Sequence, residues 1–239
     1  MDSVAAKKPA AVGHAHNRST ERKMKSPKSD ICVICGKEKA CSRDHLPPKC
    51  IFPQPLPGDL ITVPACAACN MQRSGLDEKF KVFLGLTVGY HLDGDKSYRS
   101  PILRTLRHNN KLRSEILSSM RDVILQDRVQ NVNQPAIAIP LDKEAFDIVV
   151  ERTVRGLYFH HTGNILSERY PAKVHWHQSL DDKLFQIAKD WDTGTVGDPA
   201  LVYKYAICTD DPDASFWVLQ FFQKTWTSVF FCPVDSMSN

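Results

Sequence analysis

Two cysteine pairs near the start of the chain have the spacing of a metal site. Cys32 and Cys35 enclose two residues, Cys66 and Cys69 do the same, and thirty residues lie between the pairs. A CxxC turn directs two thiolates at one ion, and two such turns supply the four-thiolate set of closed structural zinc sites. The pattern therefore predicts a structural Zn²⁺ ion on these four cysteines. A redox pair or a coincidence of buried thiols is the alternative.

The remaining cysteines and the composition place the chain in a broad class. It has 239 residues and eight cysteines, of which Cys41 and Cys50 also lie between the outer two of the predicted ligands. We expect these two to pack as small hydrophobes, with replacement of a zinc ligand as the alternative.

The N-terminus lacks the apolar segment of a secretory signal, and no run approaches the roughly 18 apolar residues of a membrane helix. We therefore expect a cytoplasmic protein with reduced thiols.

A second motif stands inside this cysteine frame. Residues 44–49 read Asp-His-x-x-Pro-Lys, a short hydrophobic strand is predicted at 60–64, and Asn70 directly follows the last cysteine. This order, continued by a predicted helix, resembles the zinc-stapled branch of the His-Asn-His (HNH) endonucleases, whose fold is also called ββα-metal. The resemblance covers residues 30 to about 80, roughly a fifth of the chain.

The resemblance implies a role for each motif residue. His45 would be the general base, since a neutral imidazole accepts a proton near neutral pH. Asp44 and Asn70 would be ligands of a catalytic Mg²⁺ or Mn²⁺ ion, because hard oxygen ligands suit both ions. That ion would be separate from the structural zinc. A chance origin of the Asp-His pair is the alternative interpretation.

This chain departs from the family in one respect. The family has an asparagine on the second strand that orients the base, and no asparagine lies between Cys50 and Cys69. Asp59 is the nearest polar substitute, because a carboxylate orients a histidine by accepting a hydrogen bond from its other ring nitrogen. A role as an ordinary turn residue is equally open.

Three basic residues near the motif are candidates for contacts with nucleic acid. Arg43, Lys49 and Arg73 would neutralise backbone phosphates, which is the main source of non-specific affinity for DNA. A basic segment also precedes the motif: residues 1–29 contain seven Lys or Arg and two acids, a charge of 7 − 2 = +5, against +4 for the whole chain. We interpret it as a flexible N-terminal tail that either improves solubility or attracts phosphate.

The hydrophobic pattern predicts an α+β protein with four segments. A proline-rich, zinc-stabilised module at 30–84 ends in a helix from Asn70 to Leu84, and a helical connector follows at 85–139. Its main helix would begin at Pro101 and run to Gln126, followed by an extended segment at 131–140. The last segment, 140–239, would be an α+β domain with a helix at 142–159 and a mainly antiparallel sheet. Its strands are predicted at 173–177, 201–208, 216–222 and 229–231.

The C-terminal segment holds histidines and aromatic residues of uncertain use. His160-His161 and the strand residues His175 and His177 are candidate metal ligands, although surface or packed histidines are the more ordinary interpretation. Its aromatic residues are expected in the sheet core, with a pocket for a nucleobase as the alternative; they are Trp191, Trp217, Trp226, Phe221 and Phe222.

Two functions follow from these patterns. The first is a metal-dependent endonuclease that hydrolyses phosphodiester bonds of DNA, with RNA as an open alternative, and the family resemblance associates it with bacterial restriction or phage defence. The second is a non-catalytic zinc module that binds nucleic acid or protein. For the endonuclease, the C-terminal segment would recognise a target or a protein partner, or form a homo-oligomer.

Overall fold

The structure, a computed structural model, describes residues 28–71, 74–89, 96–127, 132–140, 142–177 and 180–233. Most of the predicted basic N-terminal tail, residues 1–29, lies outside these residues, and so does Arg73. The helices are α1 Ala67–Met71, α2 Ser74–Gly89, α3 Lys96–His108, α4 Asn110–Ser119, α5 Lys143–Thr162 and α6 Asp182–Ile187. The strands are β1 Ser42–Leu46, β2 Ile61–Ala65, β3 Arg121–Asp127, β4 Val132–Ala138, β5 Ala172–His177, β6 Asp192–Val196, β7 Leu201–Ile207, β8 Ser215–Phe221 and β9 Thr225–Phe231. The predicted α+β class is confirmed.

The cysteine-rich segment forms a hairpin followed by a helix. Strands β1 and β2 pair antiparallel, with Asp44 opposite Val63 and His45 opposite Thr62. Side chains alternate across a strand, so Asp44 and Leu46 are buried whereas Arg43 is exposed. Helix α1 begins two residues after β2 ends, which directs the last cysteine and the residue after it back towards the hairpin.

The long helix α5 joins this hairpin to the rest of the protein. Its N-cap, Asp142, accepts a hydrogen bond from the amide of Ala145 at 3.2 Å, and it ends at Gly163 with a left-handed φ of 73°. One face, including Val150 and Leu157, is fully buried. At Gly156 the helix approaches β1 so closely that a Cβ would lie 1.8 Å from Cδ1 of Leu46. Glycine is thus required there for close packing.

The C-terminal strands form one antiparallel sheet in the order β5-β9-β8-β7-β6. All four strands predicted here are present, and β6, which the pattern did not predict, adds an edge. Trp217, Phe221 and Phe222 are buried as predicted, whereas Trp191 and Trp226 are only partly buried. Residues of the cysteine segment, of α5 and of this sheet belong to one continuous hydrophobic core.

The connector corrects two predictions. The helix predicted from Pro101 to Gln126 is two helices, α3 and α4, because Asn109 stops the first and caps the second by accepting from the amide of Leu112 at 2.9 Å. Beyond α4 the chain is strand, so the 85–139 connector is not wholly helical. Val123 and Ile124 are β-branched, which favours strand in β3, and this strand pairs antiparallel with β4.

The helix predicted from Asn70 to Leu84 also differs in detail. Asn70 belongs to the short α1, and a second helix, α2, extends from Ser74 to Gly89. Within the described ranges, no helix combines the length and the apolar character needed to cross a bilayer.

Candidate metal centre and neighbouring histidine

The four predicted zinc ligands come together. The Sγ atoms of Cys32, Cys35, Cys66 and Cys69 all lie within 4.8 Å of one another, and three of the four residues are buried while Cys35 is partly exposed. Four sulfurs at about 2.3 Å from one zinc ion in tetrahedral geometry stand roughly 3.8 Å apart. The cluster therefore fits a metal ion such as zinc, which confirms the predicted convergence of these residues.

The protonation of these thiols indicates why a cation belongs among them. Burial raises the pKa of Cys32 and of Cys69, so without a cation those sulfurs would be held as neutral thiols. Burial also acts to raise the pKa of Cys35, but the backbone amides of Glu38 and Lys37 donate hydrogen bonds to its sulfur and bring the pKa to about 7. A bound metal ion would stabilise all four as thiolates.

The backbone fastens the first cysteine turn to the hairpin. The amide of Val33 donates to the carbonyl of Pro64 at 2.9 Å, and the amide of Cys41 donates to that of Ala65 at 3.0 Å. The second turn follows directly on β2. An ion on the four sulfurs would therefore fix the open end of the hairpin, where β1 begins and β2 ends.

The candidate general base lies on β1 of this hairpin. His45 is partly buried, and its backbone amide donates to Oδ1 of Asp44 at 2.9 Å. Desolvation by burial is the main cause that lowers the pKa of His45, and the positive charge of Lys49 lowers it further. The negative charge of Asp44 acts in the opposite direction and raises it. The imidazole is therefore neutral at pH 7 and able to accept a proton.

The carboxylate of Asp44 faces the protein interior. The residue is 6% exposed, and its Oδ2 lies 3.4 Å from Nε of Arg152 on α5. Arg152 is also ion-paired through Nη2 with Asp77 on α2, and its side chain is completely buried. These three charges form a buried ion triad, defined as Asp44, Arg152 and Asp77, that joins β1, α2 and α5.

Sequence reasoning missed Arg152. The available signal was its position: it lies between Val150 and Val154, on the stretch of α5 that the hydrophobic spacing predicts to be buried. A buried arginine requires an acidic partner, which pointed to a carboxylate elsewhere in the chain. Nothing local could identify that partner, because Arg152 lies 75 residues from Asp77 in sequence.

Asn70 lies against the same strand. Its Nδ2 donates to Oγ of Ser42 at 3.0 Å and to the carbonyl oxygen of Arg43 at 3.2 Å. Ser42 and Asp44 lie on one face of β1, so α1 places the asparagine beside the face that carries the aspartate. The structure thus brings Asn70 close to the Asp44-His45 pair in the order that the motif predicts.

Asp59 is engaged elsewhere. It lies two residues before β2, and its Oδ2 accepts a hydrogen bond from the backbone amide of Gly197 at 2.8 Å. Gly197 has a left-handed φ of 57° and lies in the turn between β6 and β7. The carboxylate thereby connects the loop before β2 to the C-terminal sheet.

Two of the three predicted phosphate contacts are placed near His45. Arg43 is exposed and donates to the side chain and backbone oxygens of Thr62, at 2.9 and 2.6 Å. Lys49 is also exposed, and it follows His45 by four residues, in a short 3₁₀ helix at Lys49–Ile51. Both charges are felt at the imidazole, where they lower the pKa of His45 after the larger effect of burial.

Cys50 and His161 have packing contacts, whereas Cys41, which was also predicted to pack as a small hydrophobe, is exposed. Cys50 donates through sulfur to the carbonyl of Asp77 at 3.4 Å, and burial raises the pKa of Cys50 to about 12. His161 contacts the hydroxyls of Tyr203 and Tyr205 at 2.9 and 3.1 Å, and burial lowers the pKa of His161 to about 4.

The two strand histidines are likewise occupied. His175 stacks on Phe230 with ring centroids 5.4 Å apart, and Nε2 of His177 lies 2.8 Å from Oγ of Ser228. Among the described residues, the four cysteines are the one group of three or more His, Cys, Asp or Glu side chains that converge closely enough for a metal ion.

With this geometry established, the chain was compared with known proteins. No protein-family model, no curated protein and no solved structure matches it.

Proposed function

We propose that this chain is a metal-dependent endonuclease of the HNH type that hydrolyses phosphodiester bonds of DNA. The observation that carries the proposal is the placement of Asn70, whose Nδ2 lies 3.2 Å from the carbonyl oxygen of Arg43 on β1. In this hairpin and the helix that follows it, Asn70 lies against the face of β1 that carries Asp44, and His45 is the next residue of the same strand.

His45 is the group in this site suited to activate water. As a neutral base it would remove a proton from a water molecule whose oxygen attacks the phosphorus, while the bond from phosphorus to the leaving 3′ oxygen breaks. That oxygen takes a proton from solvent, and the product carries a 5′-phosphate, as the family resemblance implies. Burial of the imidazole favours this role because it lowers the pKa of His45 and keeps the base unprotonated.

Oxygen atoms of Asp44 and Asn70 are the groups that would hold a Mg²⁺ or Mn²⁺ ion, which supplies charge neutralisation at the phosphate. Arg43 and Lys49, both exposed on the His45 side, would bind flanking phosphates. Arg73 retains this proposed role. The zinc ion on the cysteines would be structural, and we propose a cytoplasmic role in restriction or phage defence.

One observation favours a second candidate, a non-catalytic zinc module that binds nucleic acid or protein. Asp44 is 6% exposed and is already ion-paired with Arg152. A divalent ion would have to share that carboxylate with a buried guanidinium, and desolvated ion pairs are costly to break. If the triad keeps its pairing in solution, the hairpin remains a zinc-stabilised binding surface without hydrolysis.

Plasmid cleavage separates the two candidates. We expect the full chain with bound zinc to cut DNA when Mg²⁺ or Mn²⁺ is added, and His45→Ala to lower the rate by at least a hundredfold, the scale of general-base catalysis. His175→Ala is the matched control, since this exposed histidine lies on β5 and should not affect the rate. Absence of cutting by the wild-type protein, or equal cutting by His45→Ala, would exclude the endonuclease.

A further inference from the structure

The hairpin of β3 and β4, hereafter the arm, is separate from the rest of the β-structure. Its register places Ile124 opposite Pro135 and Asp122 opposite Ile137. Within the part of the chain that the structure describes, neither arm strand pairs with a third strand. A two-stranded hairpin alone is only marginally stable in water, so an isolated arm calls for an additional contact.

One face of the arm is exposed and has an apolar centre. Ile124, Pro135 and Ile137 share this face with Asp122, Gln126 and Asn133, so the three apolar residues form a patch bordered by polar ones. Ile124 is 72% exposed and Ile137 is 61% exposed. From Ile137 the apolar surface continues into an open cavity of about 440 Å³ that Leu86 and Ile116 also line. Contiguous apolar surface of this kind marks a docking site.

The charge of the arm argues for a protein partner rather than a nucleic acid. The strand residues 121–127 and 132–138 contain one basic residue, Arg121, and two acidic residues, Asp122 and Asp127. Arg128, between the two strands in sequence, brings the hairpin to a net charge of 2 − 2 = 0, so it lacks the clustered Lys and Arg that binding to phosphate requires.

The two edges of the arm are not equivalent. Pro135 is at the centre of β4 and has no amide hydrogen to donate, which blocks regular pairing along that edge. Strand β3 contains no proline over its seven residues, so each backbone amide that does not bond to β4 keeps its hydrogen for a further strand. An added strand would therefore pair with β3.

We propose that β3 pairs antiparallel with β3 of a second copy of this chain, about a two-fold axis at Ile124. This register places position 121 opposite position 127 at both ends, so each arginine comes opposite an aspartate. Within the single chain, Nη1 of Arg121 donates to the carbonyls of Ser118 and Met120 at 3.0 and 2.9 Å, and pairing with the aspartate would replace these bonds. Asp122 then faces Gln126 without like-charge repulsion, and Ile124 faces its own symmetry mate. A two-fold interface requires such self-complementarity, and β3 has it in both charge and apolarity.

The pairing joins two arms into a four-stranded sheet in the order β4, β3, β3 and β4. Its contact area is small beside the roughly 800 Å² per partner of a standard interface, so we expect a dissociation constant in the micromolar range. This inference is independent of the proposed nuclease activity.

Sedimentation velocity of the zinc-loaded full chain, from about 1 to 200 μM, tests the proposal. We expect concentration-dependent dimerisation that Ile124→Lys weakens at least tenfold. Ile187→Lys on α6 is the matched control, because Ile187 is 61% exposed but distant in sequence from the arm, and it should not change the dissociation constant. A wild-type protein that stays monomeric, or equal weakening by both variants, overturns the proposal.

A charge exchange tests the register itself. Arg121→Asp and Asp127→Arg should each weaken dimerisation about fivefold, since each places like charges opposite one another twice. An equimolar mixture of the two variants should dimerise as well as the wild type, because each end then has one acid and one base. Failure of the mixture to recover would overturn the antiparallel self-pairing.

Discussion

The cysteine hairpin and the C-terminal sheet are stabilised in different ways. The hairpin has two five-residue strands and depends on converging sulfurs, on a buried ion triad and on α5 behind it. The sheet has five strands around large buried side chains such as Trp217 and Phe231. A short hairpin cannot bury enough surface to hold itself, so directional bonds to specific partners replace area. The difference places the four cysteines and the ion triad in the region with the shorter strands, although its apolar residues share one core with the sheet.

Zinc removal should have the largest effect, because it should unfold the cysteine hairpin and leave the C-terminal sheet folded. Structural zinc contributes on the order of 10 kcal/mol of folding free energy, which compares with the whole stability of a domain. We expect elemental analysis to find one zinc ion per chain, and chelation or Cys69→Ser to abolish the hydrogen-exchange protection of β1 and β2. Strands β8 and β9 should remain protected, and Cys41→Ser should leave both regions unchanged. Loss of protection in all four strands would instead show that the two regions unfold as one unit.

Breaking the ion triad should have the next largest effect. Arg152→Met removes the cation that buried Asp44 and partly buried Asp77 share, which costs about 3 to 5 kcal/mol, measurable as a lower urea midpoint. Lys37→Met is the control, because Lys37 forms an exposed ion pair with Glu168 at 2.8 Å and its loss should not shift the midpoint.

A second variant distinguishes lost charge compensation from lost packing. Adding Asp44→Asn and Asp77→Asn to Arg152→Met removes the uncompensated charges and should recover most of the lost stability. Without such recovery, the triad would owe its contribution to the shape of the arginine side chain and not to its charge.

The smallest expected effect concerns His161, which lies near the end of α5 against Tyr203 and Tyr205 of the sheet, and it depends on pH. Burial lowers the pKa of His161 to about 4, below its ordinary value of 6.5, so the unfolded chain binds the proton first as the pH falls. The contribution of His161 is complete above pH 6.5 and is lost as the pH falls towards 4. After allowance for solvent screening of a partly exposed ring, this loss amounts to about 1 to 2 kcal/mol.

The measurement is the free energy of unfolding of the wild type minus that of His161→Phe, at matched zinc content. That difference should become smaller as the pH is lowered from 6.5 towards 4. The corresponding difference for His175→Phe should not change in this way. A pH-independent difference would show that His161 does not titrate as its burial requires.

Local patterns carried much of the fold. The cysteine spacing predicted the four-sulfur cluster, valine and phenylalanine spacing predicted α5, and β-branched and aromatic runs predicted strands of the sheet. These features are readable because they repeat over a few residues. Strand β3 was misassigned because Leu112, Ile116, Met120 and Ile124 recur every four residues and so continue a helical stripe beyond the end of α4. The extended segment predicted at 131–140 corresponds to β4.

The contacts of the site were less accessible to sequence reasoning. Arg152 and Asp77, like Asp59 and Gly197, meet only when elements far apart in sequence pack together. A side chain signals that it needs a partner through its burial and charge, but it does not reveal which residue provides it. The resemblance placed Asp44 as a metal ligand, while the ion pair with Arg152 arises from α5, which the motif does not include.

The 138-residue span between Asp59 and Gly197 also bears on synthesis at the ribosome. The cysteines leave the exit tunnel early and can take up zinc at once, but α5 and the loop that receives Asp59 are translated much later. Chains fold vectorially as they emerge, so an N-terminal segment that has bound zinc would remain incompletely packed until α5 and Gly197 follow. The surroundings of Asp44 and His45 would therefore be complete only after residues far along the chain have been translated.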